Sequence, residues 1–207
     1  MFSYSDAQDC IDRHIDLWRK YSFDLFFYSS EDSFPINTYG HKLYKIGKSG
    51  HNGEDSIKKH ILFLNHMLKL GYDWYLINDY DSINLMNPVD IVDNPAIFGN
   101  VFNQSLVDQS RWESPIFIHP PIVIHKTIMS KILELNLSPD KEHGFFDRWL
   151  GLCCVKLGIN PENFLLQKIG YAMNTIEKED LRPQIREKKF IHGIKSKEVL
   201  EYILGEK

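Results

Sequence analysis

A short run of aromatic and branched residues, Trp74–Ile77, constrains the fold most strongly, because two carboxylates follow it almost at once. The run predicts a buried strand, which would deliver Asp79 and Asp81 at its carboxyl end. Open α/β sheets bind their ligands at the carboxyl ends of strands. Carboxylate oxygens suit Mg²⁺ or Mn²⁺, and these cations in turn suit a substrate diphosphate. A solvated turn after the strand is the plainer interpretation of the same two acids.

Helical and strand-like patterns alternate along the rest of the chain. The predicted elements are, in order, a helix over 6–21, strands over 23–30 and 42–46, a helix that begins at 52–55 and ends at Gly71, the strand over 74–77, a strand over 96–102, a helix over 127–137, a helix that opens within 142–151 and runs to Leu157, and a short strand that ends near 192. This alternation favours an α/β fold built around a largely parallel sheet that is flanked by helices.

Two adjacent prolines interrupt the apolar run over 116–124. Proline has no backbone N–H to donate to a β-ladder, so Pro120 and Pro121 predict a strand end or an edge strand beside a loop, and not the middle of a sheet. A loop at that place is a reasonable site for a second substrate, because binding residues are commonly carried by loops.

Composition narrows the class of protein. With 207 residues, of which 43% are hydrophobic, the chain can bury one substantial core. A formal net charge of -4 and a pI near 6.1 argue against a nucleic-acid partner. The charged start shows no secretory signal, and no apolar run approaches the roughly 20 residues of a membrane span, which predicts a soluble, cytoplasmic protein. Cys10, Cys153 and Cys154 are predicted to be buried, reduced thiols.

Aromatic residues and a hydroxyl at the end of the first predicted strand form a second candidate group. Phe27, Tyr28 and Ser29 are of the types that stack on a nucleotide base or hydrogen-bond to it. Core aromatics and a turn serine explain the same three residues equally well. His60 and His66, in the helix that follows, are predicted to be surface or hydrogen-bonded core histidines rather than ligands.

Further candidates lie in the second half of the chain. Glu142 and Asp147 precede or open a helix that is predicted to be buried; acids there usually cap the helix, although a carboxylate at its mouth is also well held for chemistry. Near the end, His192 is a candidate metal ligand and Lys195 a candidate phosphate contact, and Gly193 permits close backbone approach. A turn histidine is the alternative for His192.

The order of these motifs resembles that of nucleotide-sugar-dependent glycosyltransferases of the GT-A fold. A strand-borne Asp-x-Asp, an acid at the start of a buried helix and a late His-Gly-x-Lys occur in that order. More narrowly, essentially all 207 residues are similar to the amino-terminal domain of the large multidomain glycosyltransferases of chlorella viruses. The resemblance implies one GT-A-like, Rossmann-like domain over 1–207 with a mixed, largely parallel sheet. It also implies a viral protein of the host cytoplasm, which further domains could follow.

The resemblance assigns a donor site to these residues. It implies that Asp79 and Asp81 hold Mn²⁺ or Mg²⁺ against a nucleoside diphosphate, with Asp79 also near the ribose. His192 resembles the late histidine that completes the metal site. Lys195 matches a diphosphate contact in the same ending, in which Gly193 follows the histidine. The implied activity is a metal-dependent hexosyltransferase that moves a sugar from UDP-hexose or UDP-deoxyhexose to an oligosaccharide or glycoprotein glycan.

The resemblance also implies an acceptor side, at Asp147. The acceptor-side acid of the family often follows directly on another acid, whereas here Phe146 precedes Asp147, and Glu142 is the alternative. A carboxylate facing the acceptor hydroxyl serves as general base in an inverting reaction, or positions the acceptor in a retaining one. By analogy alone, the late His-Gly-x-Lys favours retention slightly.

Two other functions fit part of the pattern. A haloacid-dehalogenase-like phosphohydrolase also places Asp-x-Asp after an apolar strand, but it usually has Thr or Val where this chain has Ile83, uses the first strand, and needs a later pair of acids. A non-catalytic nucleotide-binding or glycan-binding module would leave the acids solvated and the aromatics in the core.

Overall fold

The computed structural model describes residues 24–30, 37–47, 53–79, 95–103, 116–139 and 145–162, the backbone of 83–84, 169–171 and 190–192, and the single positions 8, 11, 12, 15, 35 and 201. Its helices with described bounds are α1 Gly53–Lys69, α2 Lys126–Glu134 and α3 Phe146–Leu157. Its strands are β1 Phe26–Ser29, β2 Lys42–Lys45, β3 Trp74–Ile77, β4 Ile83–Asn84, β5 Ile97–Asn103, β6 Ile116–His125, β7 Ile169–Tyr171 and β8 Phe190–His192. Single positions within the predicted first helix, 8, 11, 12 and 15, are also helical.

The fold of the described residues is mixed α/β. The strands form a pair, β1-β2, and two three-stranded sheets in the orders β3-β6-β5 and β4-β8-β7. The pairs β1–β2 and β7–β8 are parallel, whereas β3–β6, β5–β6 and β4–β8 are antiparallel. The expectation of a largely parallel sheet is therefore wrong for this part of the chain. The reason is that α1 connects strands of two different sheets, so it does not serve as a crossover between parallel neighbours.

The two prolines lie in the middle of β6, the central strand of its sheet, and the prediction of a strand end or edge is wrong. The ladder with β3 ends where Ile77 faces Ile122, so it does not reach the prolines. On the other side, the register with β5 shifts between Phe98 and Asn100. Pro120 and Pro121 therefore occupy the interval in which neither neighbouring strand requires a donor from β6, and this makes them tolerable there.

All three helices contribute to one core against the sheet β3-β6-β5. The amphipathic pattern of α1 buries Ile57, Leu64 and Met67, as its spacing predicts. Among the described residues, the largest fully buried side chain is Trp149 of α3. A buried side chain of this kind contributes about 1.5–3 kcal/mol by leaving water. The full set of core residues also includes Tyr75, Ile77, Ile97, Ile118, Ile122, Ile124, Met129, Ile132, Phe146, Leu150, Cys153 and Cys154.

The cysteines on α3 confirm the predicted buried thiols. Cys153 and Cys154 are free and fully buried, and burial raises the pKa of each to about 12. The thiols are therefore protonated and take no part in nucleophilic chemistry at neutral pH. Cys10 lies outside the described residues.

Helix α3 approaches the first half of β6 very closely, and a glycine makes that approach possible. A Cβ on Gly151 would lie 2.1 Å from the carbonyl oxygen of Ile116 and 3.2 Å from the Cα of Phe117. No side chain fits in that space, so the contact depends on glycine. The approach lays the first turn of α3 beside the part of β6 that precedes the two prolines.

Candidate functional site

An acid and a histidine meet where α3 begins. Asp147, in the first turn of α3, places Oδ2 3.0 Å from Nε2 of His119 on β6. Its other oxygen, Oδ1, accepts a hydrogen bond of 3.0 Å from the backbone N–H of Arg148. The amino-terminal turn of a helix favours a negative charge, so the carboxylate is well placed as an anion. The side chain of Asp147 is 16% exposed, whereas that of His119 is 37% exposed.

A buried amide lies beside this histidine. Asn100 of β5 is the register partner of His119 on β6, and such partners carry their side chains on the same face of a sheet. Asn100 is only 1% exposed. Within the described part of the chain, its Nδ2 finds no acceptor. A buried donor without a partner costs about 1–3 kcal/mol, so its presence calls for a reason.

Aromatic and cationic groups border the pair. The ring of Phe117 lies two residues before His119, with the ring centroids 5.3 Å apart in an edge-on arrangement. The guanidinium of Arg148 lies over the Phe117 ring at 5.4 Å from the centroid. Asp147, His119 and Arg148 therefore lie together beside an aromatic ring. A ligand with polar groups on an apolar body would find both kinds of contact there.

Helix α1 steadies the start of α3 through His60. Its ring stacks on Phe146 with the centroids 4.1 Å apart and the planes within 9°. Nδ1 donates to the carbonyl of Ser56 at 2.7 Å, and burial lowers the pKa of His60 to about 4. His60 is therefore neutral at pH 7, and the prediction of a hydrogen-bonded core histidine is confirmed. Because Phe146 directly precedes Asp147, this stacking helps to fix the acid.

The carboxyl end of β3 points to the same part of β6. Ile77 pairs with Ile122, and Asn78 and Asp79 directly follow the end of β3. His119 lies three residues before Ile122, on the other side of the two prolines. Asp79 is exposed, as a ligand to a soluble substrate must be. The end of β3 and His119 therefore border the same two prolines of one sheet.

The pairing of β4 with β8 brings together two segments with predicted site residues that lie far apart in the sequence. Ile83 of β4 pairs with Ile191 of β8. Asp81 lies two residues before Ile83 in the sequence, and His192 directly follows Ile191 and ends β8. Strand β8 also lies against β6. Only the backbone of His192 is described, and four predicted site residues lie outside the described part: Asp81, Glu142, Gly193 and Lys195.

The predicted base-binding aromatics have other partners in this structure. Tyr28 packs edge-on against Phe63 at 4.2 Å and stacks on Tyr44 at 5.3 Å. Burial raises the pKa of Tyr28 to about 12, so its hydroxyl stays protonated and donates to Nδ1 of His66 at 2.9 Å. His66 is thus a hydrogen-bonded histidine, as predicted. Tyr28 therefore packs against other aromatic residues of the protein, as the alternative interpretation predicts.

The neighbours of Tyr28 are less enclosed. Phe27 contacts only the ring of His41 among the described aromatic contacts, edge-on at 6.2 Å. The carbonyl of Ser29 accepts from the N–H of Ile46, which extends the parallel pairing of β1 and β2. The hydroxyl of Ser29 is buried without a hydrogen-bond partner in the described part of the chain. Phe27 and Ser29 therefore remain predicted contacts for a base.

Sequence reasoning missed His119 and Asn100. A histidine directly before Pro120 and Pro121, inside an apolar strand, was the available signal for the first. Asn100 gave no signal, because an asparagine in a predicted strand does not reveal which residue it faces across the ladder. Only the register of β5 with β6 brings the two together.

Comparison with known proteins adds no relative. No protein-family model matches the chain, and no curated protein is significantly similar to it in sequence. Within the described residues, no helix has the length and apolar character to cross a bilayer. The same residues contain no group of three metal-binding side chains, but two of the predicted ligands, Asp81 and the His192 side chain, are not among them.

Proposed function

We propose that the chain is a metal-dependent glycosyltransferase of the GT-A type, which moves a sugar from a nucleoside diphosphate to a glycan hydroxyl. The observation that carries the proposal is the pairing of β4 with β8, because Ile83 faces Ile191. That pairing brings the segment after Asp79-x-Asp81 beside the strand that ends in His192. Acids and a histidine that lie far apart in the sequence thereby become candidates for one cation site.

The donor set suits the chemistry of this reaction. Cleavage of a sugar–phosphate bond builds negative charge on the departing diphosphate. A divalent cation held by Asp79, Asp81 and His192 would supply stabilisation of that charge. The ammonium group of Lys195 would stabilise the same negative charge. Gly193 would allow the backbone to approach the diphosphate closely. One well-placed group of this kind lowers the activation barrier by about 3–4 kcal/mol.

The acceptor side fits the same proposal. Asp147, which the resemblance assigns to the acceptor, is paired with His119, and His119 lies three residues before the residue of β6 that faces the end of β3. UDP is the expected nucleotide and Mn²⁺ or Mg²⁺ the expected metal. The acceptor class is an oligosaccharide or a glycoprotein glycan.

A thermal-shift experiment tests the donor site. The purified chain is heated with UDP, GDP or ADP, each with and without Mn²⁺, as wild type and as Asp81→Ala. At a hundredfold excess over the dissociation constant, a ligand stabilises by about 2.7 kcal/mol, which corresponds to a rise in Tm of about 5–10 °C. We expect such a rise with one nucleotide, only in the presence of the metal, and none in Asp81→Ala.

A matched control lies at the other end of the same strand. Asp73 precedes β3 and forms an exposed ion pair of 2.6 Å with Lys126, so Asp73→Ala removes a carboxylate with little effect on stability. This variant should keep the full metal-dependent shift. No shift in wild type with any nucleotide and metal would favour a non-catalytic module. Release of phosphate from a generic phosphate ester, without hydrolysis of a nucleotide sugar, would favour the phosphohydrolase.

A further inference from the structure

We propose that His119 is the catalytic base that removes the proton of the acceptor hydroxyl, and that Asp147 is its positioning residue. The inference rests on the glycosyltransferase activity proposed above, and it reverses the expectation that Asp147 itself is the base. It follows from three features of the described residues: the hydrogen bonds of Asp147, the exposure of the two side chains, and the buried amide of Asn100.

Asp147 is poorly placed to accept a proton from a substrate. Both of its oxygens already receive donors, from the Arg148 backbone N–H and from Nε2 of His119, each at 3.0 Å. Its side chain is also the less accessible of the pair, 16% exposed against 37% for His119. A substrate reaches the ring more readily than the acid.

The imidazole is placed as an acid–base group should be. A carboxylate bound to Nε2 selects the tautomer that carries its proton there, and the lone pair of a neutral imidazole is then on Nδ1. The same carboxylate stabilises the imidazolium that forms when Nδ1 takes a proton. Asp147 therefore orients His119 and supports its charge without contacting the substrate.

Asn100 marks a place for a polar ligand atom independently of the pair. Its amide is the register partner of His119, is 1% exposed, and has no acceptor for Nδ2 in the described part of the chain. A ligand oxygen held beside His119 would provide the missing acceptor. Polar groups that stay unsatisfied in a fold are concentrated at functional sites, where the ligand completes the hydrogen bonding.

The proton and electron changes balance. The acceptor oxygen forms a bond to the anomeric carbon while the bond from that carbon to the donor phosphate oxygen breaks, and the bonding electrons leave with the nucleoside diphosphate. The hydroxyl proton passes to Nδ1 of His119 and is later released to water. Attack assisted by a base opposite the leaving group inverts the anomeric carbon. This result is contrary to the retention that the late His-Gly-x-Lys favours by analogy.

Two substitutions separate the roles of the pair. His119→Gln keeps a side-chain N–H for Asp147 but cannot take a proton at neutral pH. If His119 is the base, this variant loses kcat by about 10²- to 10⁴-fold, as loss of a general base typically does, while the metal-dependent thermal shift with the nucleotide is unchanged. If Asp147 is the base, the variant keeps most of its activity. His119→Ala should recover part of its kcat when free imidazole is added, and Asp147→Ala should not.

The control lies on the same strand. His125→Gln changes the histidine at the far end of β6, whose ring accepts a hydrogen bond from the N–H of Thr127, and should leave kcat unchanged and insensitive to imidazole. An active His119→Gln, an imidazole response absent from His119→Ala, or a product of retained configuration would each overturn the assignment. Absence of both nucleotide binding and transfer in wild type would instead contradict the proposed function.

Discussion

His66 and His119 each contact a polar side chain, but their surroundings differ. His66 receives the Tyr28 hydroxyl at 2.9 Å and packs against the ring of Tyr44 at 4.2 Å. His119 holds Asp147 at 3.0 Å while more than a third of its side chain stays exposed. The cluster around His66 is complete as it stands. The cluster around His119 has an accessible ring and, in Asn100, a donor that still lacks an acceptor.

The two clusters separate groups that stabilise the fold from groups that are available to a ligand. A satisfied hydrogen bond between half-buried groups contributes about 1 kcal/mol to folding, whereas an unsatisfied buried donor costs about 1–3 kcal/mol. A fold keeps such a cost mainly where a ligand uses the group. We therefore expect that loss of the Tyr28 hydroxyl and loss of the Asn100 amide have opposite effects on stability, and that only the change beside His119 affects catalysis.

The largest effect on folding should come from Gly151→Ala, which disrupts the contact that holds Asp147 over β6. Alanine normally stabilises a helix interior by about 1 kcal/mol relative to glycine. Here its Cβ would meet the Ile116 carbonyl at 2.1 Å, and the strand or the helix must move. We expect a net loss of about 2–3 kcal/mol in urea denaturation, together with reduced activity. Val155→Ala, on the exposed part of the same helix, should change stability by less than about 0.5 kcal/mol.

Local pattern was a good guide to the elements that carry the site. The strand Trp74–Ile77 has the predicted bounds, and the helical spacing before it gave α1, Gly53–Lys69. Both follow from the period of apolar residues, which is a property of a short segment. The predicted first-turn position of Asp147 in a buried helix was also correct in the structure, because α3 begins at Phe146.

The pairing and direction of the strands could not be predicted from the sequence, for a physical reason. Whether Pro120 disrupts β6 depends on where β3 ends and where the register of β5 shifts, and both are set by contacts far away in the sequence. The same holds for the strand Trp74–Ile77: its pattern predicts burial, but not its place as the outer strand of its three-stranded sheet. His119 and Asp147 meet only because Gly151 lets α3 approach β6. No periodicity reports such a contact.

A smaller effect is expected from acid, through His60, which supports the start of α3. Burial lowers the pKa of His60 from 6.5 to about 4, so between these values the unfolded chain binds the proton and the folded chain does not. This contribution to stability is therefore fully present above pH 6.5 and is lost as the pH falls toward 4. With allowance for partial exposure, the loss should be about 2 kcal/mol.

The variant His60→Phe keeps an aromatic ring against Phe146 and removes the titration. Urea denaturation at pH 7 and at pH 4.5 should show a smaller decrease in the free energy of unfolding for His60→Phe than for wild type. Equal decreases in the two proteins would mean that His60 is already accessible to protons in the folded state. The stacking on Phe146 would then not be tight enough to hold the start of α3.

The smallest expected effects are those of Tyr28→Phe and Asn100→Val. They test the difference between the two clusters most directly, because they should change stability in opposite directions. Tyr28→Phe removes a hydroxyl that has a partner and leaves Nδ1 of His66 without a donor, so we expect a loss of about 1 kcal/mol. Asn100→Val removes the donor that has no acceptor and introduces a residue that favours strands, so we expect a gain of about 1 kcal/mol. Thermal and urea denaturation of both variants measure the two changes.

Measurements of activity on the same two variants complete this test. Asn100→Val should lower transfer while it raises stability, because the valine cannot bind a ligand oxygen beside His119. Tyr28→Phe should lower stability and leave acceptor turnover unchanged. If Asn100→Val destabilises the fold as much as Tyr28→Phe does, the Asn100 amide is already satisfied in solution. The cluster around His119 would then contain no unsatisfied donor at Asn100, and the reason to place a ligand there would be lost.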